Sequence, residues 1–305
     1  MTSTLRLCAA LLAGVLALTG CGISDSGGGG VVVTTDILGD ITRAVVGDTA
    51  PVTVLMPPGS DPHSFALSAQ EAAVLDDADL IVENGLGLEE GLARHVTTAA
   101  EAGVTTLAVG PRIDPLPYRS GDAAGAPDPH FWTDPQRVHR AVQVIRDQVI
   151  ESVPDIDAAA VRANADRYLA ELDVLRGWMS DRFATVAADR RKLVTNHHVF
   201  GYLAERFGFE VVGAVIPGGT TLASPSAADL ADLATAVRTT GVPAIFVDSA
   251  RPDRLARALA EQAGVEVRIV GLYSESLTAP GGGAATYLEM MRANTTAMVD
   301  GLAPA

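Results

Sequence analysis

Eight apolar residues, Val161, Ala165, Tyr168, Leu172, Leu175, Met179, Phe183 and Val186, recur at steps of three and four through a stretch that contains no proline and no turn cluster. That period keeps one face of a single α-helix apolar along its whole length. About 30 residues at 1.5 Å each make a rod of roughly 45 Å, far longer than an average helix and able to cross a two-part protein. Gly177 is the weak point, where the alternative of a broken helical hairpin would fall. The stripe runs on past it, so the reading is one rigid linking helix over residues 156–188.

What lies on either side has a different period. Short β-branched runs (Val31 to Thr34, Val52 to Leu55, Leu80 to Val82, Thr105 to Val109) alternate with helical stretches before the linker. The pattern returns after it, with Lys192 to Thr195, Val211 to Val215, Ala244 to Val247 and Val265 to Val270. Strands alternating with helices predict parallel sheets covered on both faces. The expected fold class is therefore α/β, with two lobes of roughly four parallel strands each, flanked by helices, at residues 31–155 and 189–305.

The N-terminus points to the compartment. Arg6 precedes the apolar run Leu7 to Leu18, too short to span a bilayer as a mature helix and suited to a cleaved export signal over residues 1–20. It ends in Leu18-Thr19-Gly20-Cys21, which resembles a lipobox, so Cys21 is the expected site of acylation and membrane anchoring. Residues 21–30, with Ser24, Ser26 and four consecutive glycines, read as a flexible tether. The expected location is extracytoplasmic, lipid-anchored to the cell membrane. Cleavage also removes Cys8, which leaves one cysteine, no intrachain disulfide and no free thiolate for a metal. A formal net charge of −15 repels phosphate backbones and excludes nucleic acid as a partner.

With thiolate excluded, histidine is the most plausible transition-metal ligand. His63 and His130 each follow Asp-Pro, and proline fixes its own φ while pushing its predecessor to extended geometry, so each imidazole leaves a stiffened backbone. His130 also just precedes a helix predicted to open with Asp134 as N-cap and Pro135 at its first position. His197 and His198 follow the strand Lys192 to Thr195. Ligands of open α/β sheets bind outside the carboxyl ends of strands, where these groups converge from both lobes. Glu275, at the exit of the last strand, is the nearby carboxylate. His95, spaced with Leu88, Leu92 and Ala99, reads as a helix-flank or core residue, and His139 shares a polar face with Gln143 and Arg146.

Three motifs in order, Gly59-Ser60-Asp61-Pro62-His63, Asp128-Pro129-His130-Phe131-Trp132-Thr133-Asp134-Pro135 and Thr195-Asn196-His197-His198-Val199-Phe200-Gly201-Tyr202, resemble those of the zinc/manganese solute-binding lipoproteins of metal ABC importers. The resemblance covers nearly all of the mature chain. It implies two lobes joined by a long helix, a metal ion buried between them, and a cognate ABC permease as partner. Position by position it implies His63 and His130 as first-lobe ligands and His197 as the first ligand from the second lobe, with His198 beside the site. Glu275 stands where the family usually has Asp, a departure of one methylene. Asp248 resembles a supporting carboxylate near the ligands.

Three neutral imidazoles and one carboxylate suit tetrahedral Zn²⁺, while Mn²⁺, the alternative, prefers more oxygen ligands. In the family's manganese-type members Glu generally holds the place of His197, which also points to zinc. The segment Pro115 to Pro127, often a histidine-rich metal-collecting tract in zinc members, has no histidine here. The expected action is capture and release by a monomer, without catalysis. Binding should weaken as pH falls through the histidine range, and opening should involve the His130 loop or small lobe shifts. Rival readings are a zinc hydrolase, which lacks a His-Glu-x-x-His helix here, and a surface adhesin or metal chaperone with the same site.

Overall fold

The computed structural model describes residues 29–304. The export signal, Cys21 and most of the tether lie outside the described residues. Gly30 is already tied into the fold: its N–H donates to Asp79 Oδ2 at 2.9 Å and its carbonyl accepts from Asp79 N–H at 3.0 Å. Its φ of +66° is a conformation that glycine adopts without penalty.

Strands β1 (Val31–Val33), β2 (Val52–Val54), β3 (Leu80–Glu83) and β4 (Thr105–Ala108) form a parallel sheet in the order β2-β1-β3-β4. Helices α1 (Asp36–Val46), α2 (Ala69–Asp76), α3 (Ala93–Glu101) and α4 (Pro135–Ser152) belong to this lobe. The second sheet repeats the arrangement with β5 (Lys192–Thr195), β6 (Glu210–Ala214), β7 (Ala244–Asp248) and β8 (Arg268–Leu272) in the order β6-β5-β7-β8, again parallel. Its helices are α6 (Gly201–Phe207), α7 (Ala227–Thr240), α8 (Arg254–Ala263) and α9 (Tyr287–Leu302).

Continuous apolar strands form here because both faces of each sheet are covered. In β1, Val31 and Val33 enter the large central core while Val32 enters a separate outer cluster with Leu55, Ile81 and Leu92. The same alternation splits Leu193 from Val194, and Ala244 and Phe246 from Ile245 and Val247, in the second lobe. Period two, applied to residues that are all apolar, thus supplies a core on each side.

Between the sheets runs α5 (Ala158–Ala184), 27 residues and about 40 Å at 1.5 Å per residue. Asp157 starts it by accepting from the N–H groups of Ala159 and Ala160, both at 3.0 Å. Its buried face is the apolar stripe from Val161 to Phe183, packed on α1 and α4 of the first lobe and on α9. Val186 lies past the helix end but stays buried, so it belongs to the stripe's packing and not to the helix. The helix is unbroken at Gly177, which is exposed with open space where a Cβ would stand.

One strand boundary departs from the sequence expectation. Val265 is 41 % exposed, and pairing begins only at Arg268, whose N–H donates to Pro243 O at 3.0 Å. Gly264 ends α8 at φ +65°, and the next residues carry the chain across to the sheet edge before the ladder can start. α3 likewise starts at Ala93, so Leu88 and Leu92 are buried ahead of the helix while His95 sits half-buried on it.

Candidate metal centre

Four loops that leave the carboxyl ends of strands meet between the lobes. His63 comes from the loop after β2, His130 from the segment between β4 and α4, His197 from just beyond β5, and Glu275 from just beyond β8. One ligand-type atom from each lies within 4.8 Å of all the others, and all four residues are buried. His63 Nε2 is 3.3 Å from His130 Nε2, and Glu275 Oε1 is 3.6 Å from His130 Nε2 and 2.6 Å from His197 Nε2. The last contact is close but not aligned as a hydrogen bond: His197 Nε2 and both Glu275 oxygens are buried without a hydrogen-bond partner. Orphaned buried polar atoms cost free energy, so three of them grouped beside the facing Nε2 atoms of His63 and His130 fit a cation that would accept their lone pairs.

The local sequence explains the aim. In each Asp-Pro-His tripeptide the aspartate accepts the N–H of the histidine two residues on, Asp61 Oδ1 to His63 at 3.1 Å and Asp128 Oδ1 to His130 at 2.9 Å. Asp128 Oδ1 also stands 2.7 Å from His130 Nδ1, which fixes that nitrogen as the protonated one and turns the Nε2 lone pair inward. The Tyr118 hydroxyl lies 3.4 Å from the same Nδ1 and donates to Gly219 O.

The His130 segment is strapped to both lobes. Asn84 Nδ2 donates to Pro129 O, Tyr202 donates to Asp128 O, Trp132 Nε1 donates to Ser274 O, and Tyr287 donates to Trp132 O. Asp134 caps α4 through Gln136 N–H and receives Arg206 on both oxygens at 2.9 Å. The Glu275 loop is bracketed too: Ser274 Oγ donates to Asp248 Oδ2, while Ser276 Oγ and Leu277 N–H donate to Asp36 Oδ2. Asp248 therefore reaches the site through Ser274, and His197 Nδ1 has no hydrogen-bond partner.

Burial sets the protonation. It pushes His63 down to about 2, helped by His130 and His197, and His197 down to about 4, against the pull of Asp248 and Asp128. It pushes Glu275 up to about 8, although His130 opposes it. Burial thus favours neutral imidazoles on His63 and His197 and the protonated form of Glu275. His198, half-buried outside the cluster, is also lowered by burial. His95 and His139 lie elsewhere, on α3 and α4.

Sequence reasoning credited the prolines with stiffening these turns and missed what Asp61, Asp128 and Tyr118 do. Two aspartates placed two residues before two candidate ligands were the available signal for the first pair. Tyr118 carried none, because its loop reaches His130 only in three dimensions.

Two α/β lobes on a helical spine, with a buried three-histidine, one-carboxylate cluster between them, define a two-lobed binding protein with a site that could hold a metal ion. The model of the family described as zinc-uptake complex component A, periplasmic (ZnuA), matches residues 31–301, and the chain belongs to that family. It is 32% identical over 306 residues to the manganese-binding lipoprotein MntA of Halalkalibacterium halodurans, covering 97% of this chain and 99% of the relative. It is 32% identical over 312 residues to the zinc-binding protein TroA of Treponema pallidum, covering 98% of each. The solved structure of the latter superposes with a TM-score of 0.82 at 29% identity, covering 90% of this chain and 99% of that one.

Proposed function

We propose that this chain captures one divalent transition metal ion outside the cytoplasm, with His63, His130, His197 and Glu275 as its ligands, and delivers it to an ABC permease. The observation that carries the reading is the convergence of four buried donors, two of them without a partner at the inward-facing atom, on one point between the lobes. Three imidazoles and one carboxylate fill a tetrahedron and favour Zn²⁺. The manganese-binding name of one similar relative makes Mn²⁺ the second reading for the same site and role.

A closed set of four protein donors leaves no open position for substrate, which supports capture without catalysis over hydrolysis. The lipoprotein name of that relative, together with Cys21, supports a lipid on that residue that holds the protein to the membrane. Asp128 and Asp248 act as supporting carboxylates, the first on His130 and the second on the Glu275 loop through Ser274.

Metal content by mass spectrometry, with competitive titration of Zn²⁺ and Mn²⁺, tests this on the chelator-stripped protein. One tightly bound Zn²⁺, lost in His63→Ala, His130→Ala and His197→Ala, is the expected result. Tighter Mn²⁺ binding overturns the metal, and no stoichiometric metal under any condition overturns the function.

A further inference from the structure

The buried cluster needs a path to solvent, and the cavities around it differ in what they can pass. A void of about 10 Å³ touches Glu275 but is otherwise lined mainly by Ile37, Leu38, Ile41, Leu88, Phe131 and other apolar groups. A cavity of about 490 Å³ under the Tyr118 loop stops at Asp128 and His198, which neighbour the ligands without being among the four. The third, about 630 Å³, lies between the His63 loop and the loops after β7 and β8, and its wall includes Glu275 itself with Asp61, Asp248 and Arg251. A cation with six waters occupies on the order of 200 Å³ at about 30 Å³ per water. Of these three, only the last both reaches a ligand and admits such an ion.

Three residues from three loops meet in and beside that wall. Arg251 Nη2 donates to Asp61 Oδ2 and, at 3.2 Å, to Thr221 Oγ1. Thr221 Oγ1 donates to the same Asp61 oxygen at 2.7 Å. Asp61 belongs to the first lobe and accepts His63 N–H, whereas Thr221 and Arg251 belong to the second. The only other hydrogen bonds tying the His63 loop to the second lobe, among the described residues, run from Gly59 N–H to Ser276 Oγ and Leu277 O. The His130 segment, by contrast, is fixed through Tyr202, Arg206, Ser274 and Tyr287.

We propose that this cavity is the path by which the metal ion enters and leaves, that Arg251, latched to Asp61 and Thr221, is its gate, and that His63 is the ligand that yields first. The inference rests on the metal-capture reading above. A guanidinium held on the path of a dication opposes passage in both directions, and its hydrogen bonds hold the loop that places His63. Among the described residues Arg251 makes no hydrogen bond to any of the four ligands, only to Asp61 and Thr221, so it acts on the rates of exchange more than on the depth of the bound state. Where the sequence points to the His130 loop or small lobe shifts for opening, the Arg251 gate favours the His63 loop.

Stopped-flow Zn²⁺ association and chelator-driven dissociation on the whole chain separate these roles. Arg251→Met is expected to raise both rate constants by about threefold or more while Kd changes by less than about twofold. Arg176→Met, which removes the same charge from the solvent-facing pair with Asp173 on α5, should change neither. Thr221→Val keeps the charge, loosens the latch and should raise both rates by less; it also tests the gate if Arg251→Met does not fold. Unchanged rates in Arg251→Met and Thr221→Val overturn the gate, as does faster dissociation alone with a matching loss of affinity, or an equal effect of Arg176→Met. If the wild-type chain binds Zn²⁺ tightly in those cases, the capture reading stands without the gate; if it binds none, both fall.

Discussion

Replacing Asp128 with alanine should weaken metal binding without disturbing the fold. The carboxylate makes two contacts to His130, accepting its N–H at 2.9 Å and lying 2.7 Å from Nδ1. Apart from that His130 N–H, the surrounding backbone is held without the carboxylate: Asp128 N–H donates to Leu116 O at 2.8 Å, and Asp128 O accepts from Tyr202 at 2.7 Å. Truncation therefore frees the imidazole to rotate and to exchange tautomers while its loop stays in place. Loss of such a partner behind a metal-binding histidine typically costs about 10–100-fold in affinity. That is about 1.4–2.8 kcal/mol at 1.4 kcal/mol per tenfold. Competition against a chelator of known affinity at fixed pH measures it, with thermal denaturation of the metal-free protein as a check on folding. An affinity within about twofold of wild type in a folded variant would refute the argument that Asp128 sets His130's tautomer and aim.

The pH response should come from Glu275 more than from His63 and His197. The two histidines, lowered to about 2 and about 4, are already neutral through the range where free histidine titrates, whereas Glu275, raised to about 8, must lose a proton when the cation binds. Calorimetry in buffers of different ionisation enthalpy should show close to one proton released from Glu275 per metal near pH 7, declining above pH 8; a release independent of pH across that interval would contradict the assignment. Because a raised folded pKa gives stability that is lost as pH rises from the unfolded value of 4.5 through about 8, Glu275→Gln should melt higher than wild type in the metal-free state at pH 8 and gain less from added metal. An unchanged or lower melting point would count against a buried, destabilising charge. On the spine, Gly177→Ala should stabilise the chain by about 0.5–1 kcal/mol in denaturant unfolding, since the position is helical, exposed and free of steric conflict. Destabilisation there would mean that the exposed face of α5 packs on something.

Much of the architecture could be read from periodicity because the contrast is strong. A stripe at steps of three and four between two sets of β-branched runs leaves few alternatives, and Val161 to Phe183 do form one face of one helix. What periodicity could not fix was where pairing starts: Val265 and Val267 look like strand residues, yet the chain needs them to reach the sheet edge after Gly264. The four candidate ligands could be singled out because His63, His197 and Glu275 follow closely on strands and His130 sits in an Asp-Pro-His turn just ahead of α4. Their supports were not, since Asp36, Asn84, Tyr202 and Tyr287 act across 45 to 241 residues of sequence. The latch of Asp61 with Thr221 and Arg251 was hidden for the same reason.

The most direct test of the account is a crystal of the Zn²⁺-loaded protein measured on both sides of the zinc absorption edge. The account predicts one anomalous peak per chain, about 2.0–2.2 Å from the Nε2 atoms of His63, His130 and His197 and from a Glu275 oxygen. A peak elsewhere, or none at this cluster in crystals that hold zinc, would contradict it.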